Sequence, residues 1–279
     1  MGNDYNTIDV NVCVNTKAGR DEGMIKALLF DLGGTLHTVK RTEESKILFC
    51  RHLYELLASH GIKTDLSPEE LGDLLAVNSE LYKHYSEETK RELPQPEIWS
   101  RWYLKELNIE PQRFAPFAEE LSFLYDRERV INTPRPFLKE TIETLHGMGI
   151  RMGIISNIIS TTLVPLVLTE YGIAEYMECS IMSSVTGIRK PDPRIFEIAM
   201  EEMKITAAEM GYVGDTISRD VLGSRNAGLG LCVRIDNPSI AHRDAAFQGP
   251  DAPKADYVIK ELNELPGIVQ AVNGKAREE

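Results

Sequence analysis

Four short stretches of this chain carry side chains that could do chemistry together. Asp31-Leu-Gly-Gly-Thr35 sets a carboxylate immediately before a tight, glycine-rich turn. Ser156-Asn157 offers a hydroxyl and an amide, and Gly187-Ile-Arg-Lys190-Pro191 offers an ammonium group. Gly214-Asp215, followed by Asp220, adds two more carboxylates. A carboxylate can be a nucleophile or a metal ligand, hydroxyl and amide groups can hold an anion, and a lysine can balance charge. Taken singly, each has a plain structural reading: a helix cap, a turn or a solvated lysine. Their shared setting carries more weight, because each lies at or beyond the end of a run that reads as a buried strand.

Those runs are residues 26–31, 150–156, 179–183, 211–215 and 231–235, short and apolar. From residue 136 onward they alternate with helical patterns at 136–147, 163–171, 194–203 and 221–227. Alternation of this kind implies an α/β fold, a Rossmann-like parallel sheet covered on both faces. Right-handed crossovers bring every strand's C-terminal end to one edge, where ligands bind in such sheets. Residues 24–39 and 133–279 are assigned to this core, with 273–279 expected to fray at the terminus.

Residues 40–132 are patterned differently. Helical spacing runs over 43–60, and Ser67-Pro-Glu-Glu70 has the form of a capping box. Segments 96–108 and 111–125 read as two further helices, and no strong strand is evident, so an all-helical insertion of about 90 residues is expected. Trp99, Trp102, Tyr103, Phe114, Phe117, Phe123 and Tyr125 read as its core rather than as a ligand platform. Residues 1–23 form an N-terminal extension in which Ile8, Val10, Val12 and Val14 alternate with polar residues, as in a strand or a flexible segment.

In this order the four motifs resemble those of the haloacid dehalogenase-like (HAD) hydrolases. Asp31-Leu-Gly-Gly-Thr-Leu is similar to the first motif of that family, Ser156 to the second, Lys190 to the third and Gly214-Asp-Thr-Ile-Ser-Arg-Asp220 to the fourth. The helical insertion falls where the family carries its cap. The resemblance implies a Rossmann-like core with an inserted all-helical cap, catalytic Asp31 and Lys190, and Mg²⁺ held by Asp31, the Gly33 carbonyl, Asp215 and Asp220. It also implies phosphate contacts from Ser156, Asn157 and Thr35. The expected activity is hydrolysis of a small phosphorylated metabolite through an aspartyl-phosphate on Asp31. Charge cancellation supports it: three aspartates meet Mg²⁺ and Lys190, so an anion can be attacked by an anion.

One departure matters. Phosphatases of this family usually carry a second Asp two residues after the nucleophile, as general acid and base, and here that position is Gly33. General acid–base catalysis is typically worth about 10²–10⁴-fold. Water, the substrate or a cap residue could supply the proton; His37 is near in sequence, but its plain reading is a hinge residue between core and cap. A metal-independent 2-haloacid dehalogenase and a phosphate-binding regulatory protein with little turnover are the alternatives, and Asp215 and Asp220 argue against the first. Arg135, Arg189 and Arg219 are further candidate anion contacts, though each reads first as a solvated surface arginine, and hinges between core and cap are expected at 36–40 and 131–136.

Composition narrows the partners. The chain has 279 residues and a formal net charge of −12, so a broad basic face for nucleic acid is not expected. No run of about 18 apolar residues would cross a membrane. Cys13, Cys50, Cys179 and Cys232 form no CxxC pair and read as reduced thiols of a cytoplasmic protein. A monomer or homodimer is expected.

Overall fold

The computed structural model describes residues 23–247 and 249–278. The first 22 residues, with the alternating pattern around Ile8–Val14 and with Cys13, lie outside the described residues. Along the chain run β1 (Ala27–Phe30), β2 (His37–Lys40), α1 (Glu43–Ser59), α2 (Pro68–Thr89), α3 (Gln95–Ile98), α4 (Pro111–Phe114), α5 (Ala118–Glu128) and β3 (Ile131–Pro134). They are followed by α6 (Leu138–Gly147), β4 (Arg151–Ser156), α7 (Leu163–Glu170), β5 (Met177–Met182), α8 (Ser183–Thr186) and α9 (Pro193–Met203). The last elements are β6 (Met210–Gly214), α10 (Leu222–Asn226), β7 (Leu231–Ile235), β8 (Tyr257–Ile259) and α11 (Leu265–Glu278).

Six strands form one parallel sheet in the order β5-β4-β1-β6-β7-β8. The order departs from β1 in both directions, which opens a crevice at the C-terminal ends of β1, β4 and β6. Period-two alternation sends Leu28 and Phe30 into one core layer and Ala27 and Leu29 into the other. Both faces are therefore covered, and the strands read as continuous apolar runs for that reason.

Helices α1 to α5 lie between β2 and β3 and build a separate hydrophobic cluster around Leu53, Leu71, Trp99, Phe114 and Leu121. Thr42 and Ser67 each close a capping box at the start of α1 and α2. Trp99, Tyr103, Phe114, Phe117 and Tyr125 are buried in that cluster, as their spacing implied.

Three expectations need correction. The stretch 96–108 is not one helix: α3 runs into a π-turn at Trp99–Tyr103 and a 3₁₀ turn at Lys105–Leu107. The wider turn brings both Trp99 and Tyr103 inward, at the cost of regular pairing. Segment 111–125 is likewise interrupted by a 3₁₀ turn at Ala115–Phe117. The frayed tail expected at 273–279 is instead helical through Glu278. Asn273 anchors it: its Nδ2 donates to the Ile25 carbonyl (2.9 Å) and its Oδ1 accepts from the Ile25 N–H (2.7 Å). The sequence reading also passed over β8 and the antiparallel ribbon β2–β3, which pairs His37 with Pro134 and Lys40 with Ile131. That ribbon occupies both expected hinge segments. Among the described residues no helix is long and apolar enough to cross a membrane, and Cys50, Cys179 and Cys232 are buried and unbridged.

Candidate active site

Parallel pairing of β1 with both β4 and β6 fixes the height of Asp31 in the crevice. Its N–H continues the ladder to the Val213 carbonyl (2.9 Å), directly beside Gly214-Asp215. Lys190 reaches the same point from the far side. Its Nζ lies within hydrogen-bond distance of Asp31 Oδ1 (2.7 Å), Asp220 Oδ1 (2.8 Å), the Tyr212 hydroxyl (2.7 Å) and the Ile155 carbonyl (3.1 Å). Four acceptors around three protons hold the ammonium group in one place. Asn157 fixes the backbone beneath it, donating to the Lys190 carbonyl (3.0 Å) and accepting from the Lys190 N–H (2.9 Å).

The three aspartates differ in what remains free on them. Asp220 is saturated: Oδ1 accepts from Lys190 and Tyr212, and Oδ2 from the Thr216 N–H (3.0 Å) and hydroxyl (2.5 Å). Asp215 accepts from Asn237 at Oδ2 (2.8 Å), while its Oδ1 is buried with no partner among the described residues. Asp31 uses Oδ1 for Lys190, and no donor among the described residues reaches Oδ2. One carboxylate oxygen from each of the three falls within 4.8 Å of the others.

Electrostatics follow from this crowding. Burial, with the charges of Asp31 and Asp220, pushes the Asp215 carboxyl up to about 7. Burial likewise raises Asp31, against the pull of Lys190. Burial would raise Asp220 too, but Lys190 and Arg219 outweigh it and hold that carboxyl down to about 2. Arg219 acts on all three aspartates, so three negative charges face two positive ones before any ligand arrives. A buried carboxylate oxygen without a donor, in a net-negative cluster, fits a divalent cation with oxygen ligands.

Ser156 is buried on the wall of the same cavity, which measures about 510 Å³ and is also lined by Asp31, Gly33, Asn157, Lys190 and Asp215. Thr35, expected as a phosphate contact, is not on that wall. The turn 32–35 curls so that Thr35 donates its N–H to the Leu32 carbonyl (3.3 Å), and its hydroxyl is enclosed without a partner. Gly34 must be glycine: it has φ +90°, and a Cβ there would fall 1.9 Å from Asp215 Oδ2. Gly33 is open, the nearest atom to a Cβ being His37 Nε2 at 3.9 Å. His37 is fixed by the Tyr171 hydroxyl at its Nδ1 (3.0 Å). Burial, aided by Arg127 and Arg135, lowers its pKa to about 4, so at neutral pH the ring is neutral and lacks the acidic imidazolium proton of a general acid.

Of the three candidate arginines, Arg219 lines the cavity. Arg135 donates instead to the Gly34 carbonyl, and Arg189 pairs with buried Glu92. Tyr212, Thr216 and Asn237 were missed in the sequence. Asn237 could have been found, since it follows the end of β7 at the same sheet edge. Tyr212 reads only as one more apolar strand residue.

The comparisons with known proteins agree with this geometry. The family model described as haloacid dehalogenase-like hydrolase matches residues 25–228. A glyceraldehyde 3-phosphate phosphatase of Methanopyrus kandleri is 28% identical over 248 residues, covering 88% of this chain and 98% of that protein. A phosphoglycolate phosphatase of Vibrio parahaemolyticus is 34% identical over 156 residues, 56% of this chain and 60% of its own. Among solved structures, a 2-haloacid dehalogenase from Pseudomonas syringae pv. Tomato superimposes with a TM-score of 0.60 at 25% identity, covering 89% of this chain and 99% of that one. A matching family model over most of the chain, joined to motifs that meet in one crevice, places this protein among the haloacid dehalogenase-like hydrolases.

Proposed function

We propose that the chain is a Mg²⁺-dependent phosphatase of small phosphorylated metabolites, acting through an aspartyl-phosphate on Asp31. The observation that carries this reading is the pairing of a free nucleophilic oxygen on Asp31 with an unpartnered buried oxygen on Asp215, in one cavity with Lys190. Asp31, Asp215 and the Gly33 carbonyl would hold the cation, with Asp220 close by. When bound, Mg²⁺ supplies the positive charge that lets a phosphate enter a cluster of carboxylates. Asp220, its oxygens already occupied, acts by holding Lys190. The phosphatase names of the two relatives at 28% and 34% identity support the same reaction class.

In the first step Asp31 Oδ2 attacks phosphorus and the bond to the leaving oxygen breaks. Lys190 keeps Asp31 oriented and offsets charge on the transferring group. The Ser156 hydroxyl, which has no partner among the described residues, is available to a phosphate oxygen. Water then attacks the aspartyl-phosphate and frees phosphate. No carboxylic acid stands at position 33 to protonate the leaving oxygen, so that proton comes from water or from the substrate. Helices α1 to α5 serve as the cap, keeping bulk water from the site.

Hydrolysis of p-nitrophenyl phosphate and acetyl phosphate, with and without Mg²⁺, tests the reading. Turnover that requires the metal and disappears in Asp31→Asn is expected. Release of chloride from 2-chloropropionate without metal, with both phosphates untouched, would instead establish the dehalogenase chemistry of the structural relative.

A further inference from the structure

We propose that the substrate carries a second anionic group, a carboxylate or a second phosphate, which is bound by Arg41, Arg129, Arg219 and Arg243 at the outer end of the catalytic cavity. This deepens the phosphatase reading and rests on it for the identity of the first anion. All four arginines line the cavity that contains Asp31. They also line an adjoining space of about 130 Å³. They come from four separate places: the end of β2, the end of α5, the turn after β6 and the 3₁₀ segment Pro238–Phe247 after β7. Such convergence is not the chance product of one basic helix.

None of the four forms an ion pair or a side-chain hydrogen bond among the described residues. Other arginines do: Arg127 pairs with Glu170, Arg151 with Glu178, Arg194 with Asp192 and Arg225 with Asp256. In a chain with twelve more acidic than basic charges, carboxylates are not scarce. Asp31, Asp215 and Asp220 act on Arg219 from the catalytic side, and Asp215 on Arg243 as well; the other acids near the cluster form no ion pair with it among the described residues. Glu80 binds Lys83 (3.0 Å), Asp126 accepts the N–H groups of Ile159 and Ser160, and Glu87 forms no ion pair among the described residues. Nε of Arg129 and Nε of Arg243 are buried with no partner among the described residues. Burial and the neighbouring guanidinium of Arg129 pull Arg41 below its ordinary value, and burial with Arg219 does the same to Arg243. Arg219 is balanced on one side by the aspartates, but setting the guanidinium groups of Arg41, Arg129 and Arg243 beside it brings like charges together, which costs free energy unless a ligand anion offsets it.

The groups are also held in place. The Cζ of Arg129 sits over the Tyr125 ring, 3.9 Å from its centroid. Asp244 accepts from the Ile217 N–H (2.8 Å) and the Ser218 N–H (2.9 Å), which fastens the segment bearing Arg243 to the turn bearing Arg219. A planar guanidinium fork suits carboxylate and phosphate oxygens alike. The site thus reads one phosphate at Asp31 and a second anion at the arginines, with a short carbon chain between.

Binding of non-hydrolysable phosphonates to the full chain with Mg²⁺, measured by titration calorimetry, tests this without needing turnover. Propylphosphonate has one anionic end, 3-phosphonopropanoate adds a carboxylate, and propane-1,3-diylbisphosphonate adds a second phosphonate. One of the two-ended ligands is expected to bind roughly 10–100-fold more tightly than propylphosphonate, the range of charge-assisted hydrogen bonds. Whichever it is identifies the second anion. Arg41→Gln and Arg243→Gln are each expected to shrink that ratio by about 5-fold or more, and added salt to shrink it further. Equal affinities, no binding of any of the three, or a preference that survives both substitutions would overturn the inference. Hydrolysis of p-nitrophenyl phosphate, which has no second anion, judges the phosphatase reading separately.

Discussion

Two adjacent glycines set opposite limits on the catalytic turn. At Gly33 a side chain has room, because the nearest atoms to a Cβ are His37 Nε2 at 3.9 Å and Val39 Cγ2 at 4.0 Å. A carboxylic acid there could reach the leaving oxygen beside Asp31. Gly33→Asp is therefore expected to raise kcat for alkyl phosphates by about 10-fold or more, a fraction of the full worth of a general acid. Acyl phosphates, whose leaving groups need little help, should gain less, and a comparison of the two substrates checks the claim. Gly34 allows nothing larger. A methyl group would collide with Asp215 Oδ2 and would have to exist at φ +90°. Gly34→Ala is expected to weaken activation by Mg²⁺ roughly 10–100-fold, as loss of ligand positioning does, while the backbone strain costs about 1–2 kcal/mol of stability. A metal titration of activity beside a thermal melt separates these two effects.

The elements around the site are joined more tightly than a simple hinged lid would require. Besides the β2–β3 ribbon, residues 91–92 run against 187–188: Arg91 bridges Ile188, and the Glu92 N–H donates to the Gly187 carbonyl (3.0 Å). The Glu92 carboxylate accepts from the Tyr82 hydroxyl (2.5 Å), the Ser183 hydroxyl (2.7 Å) and Arg189. The insertion is thus fastened to the loop that carries Lys190. On the other side Glu119 accepts from the N–H groups of Thr161 and Thr162, and Asp126 from those of Ile159 (3.1 Å) and Ser160 (2.8 Å). Burial, with the charge of Glu92 adding and Arg129 opposing, raises the Asp126 carboxyl to about 7. The folded state then holds this proton more firmly than the unfolded chain. Its contribution to stability is present at low pH and is lost as pH rises from about 4 to about 7. Asp126→Asn keeps an acceptor and does not titrate. Its stability, read from thermal melts, is expected to rise relative to the parent across that range, by at most about 4 kcal/mol, and the difference to level off above it. These junctions also mark the limit of what could be read in the sequence. Strands β1, β4, β6 and β7 were legible because parallel strands buried on both faces are unbroken apolar runs. The ribbon was not, because His37–Lys40 and Ile131–Pro134 are short and mostly exposed, so backbone pairing rather than apolar pattern holds them. Asp31, Ser156, Lys190, Asp215 and Asp220 were legible as strand-end motifs. Arg219 was legible as a candidate anion contact, but Tyr212, Arg41, Arg129 and Arg243 were not, since their roles arise only when separate elements converge.

For the whole molecule, the catalytic crevice is the place where folding works against charge. A chain of net charge −12 folds so that Asp31, Asp215 and Asp220 are brought together out of water, with Lys190 and Arg219 as the nearest cations. Without a further cation the cluster is a source of instability, because desolvation and like-charge repulsion both oppose it. Two consequences can be separated by one substitution. On the proposed function Mg²⁺ would bind the folded protein and not the unfolded chain, so at about 100 times its dissociation constant it is expected to add about 2.7 kcal/mol, or roughly 5 °C in melting temperature. Asp215→Asn removes one charge while keeping an oxygen that can still accept from Asn237. In chelator this variant is expected to melt no lower than the parent, because one repelling carboxylate is gone. In Mg²⁺ it is expected to gain little, because the metal has lost the ligand with the free buried oxygen. The two melting curves should therefore cross as metal is added. If the parent is the more stable of the two in chelator and Mg²⁺ moves neither curve, the three aspartates are a structural ion-pair network with Lys190, and the charge-cancellation account of this site is wrong.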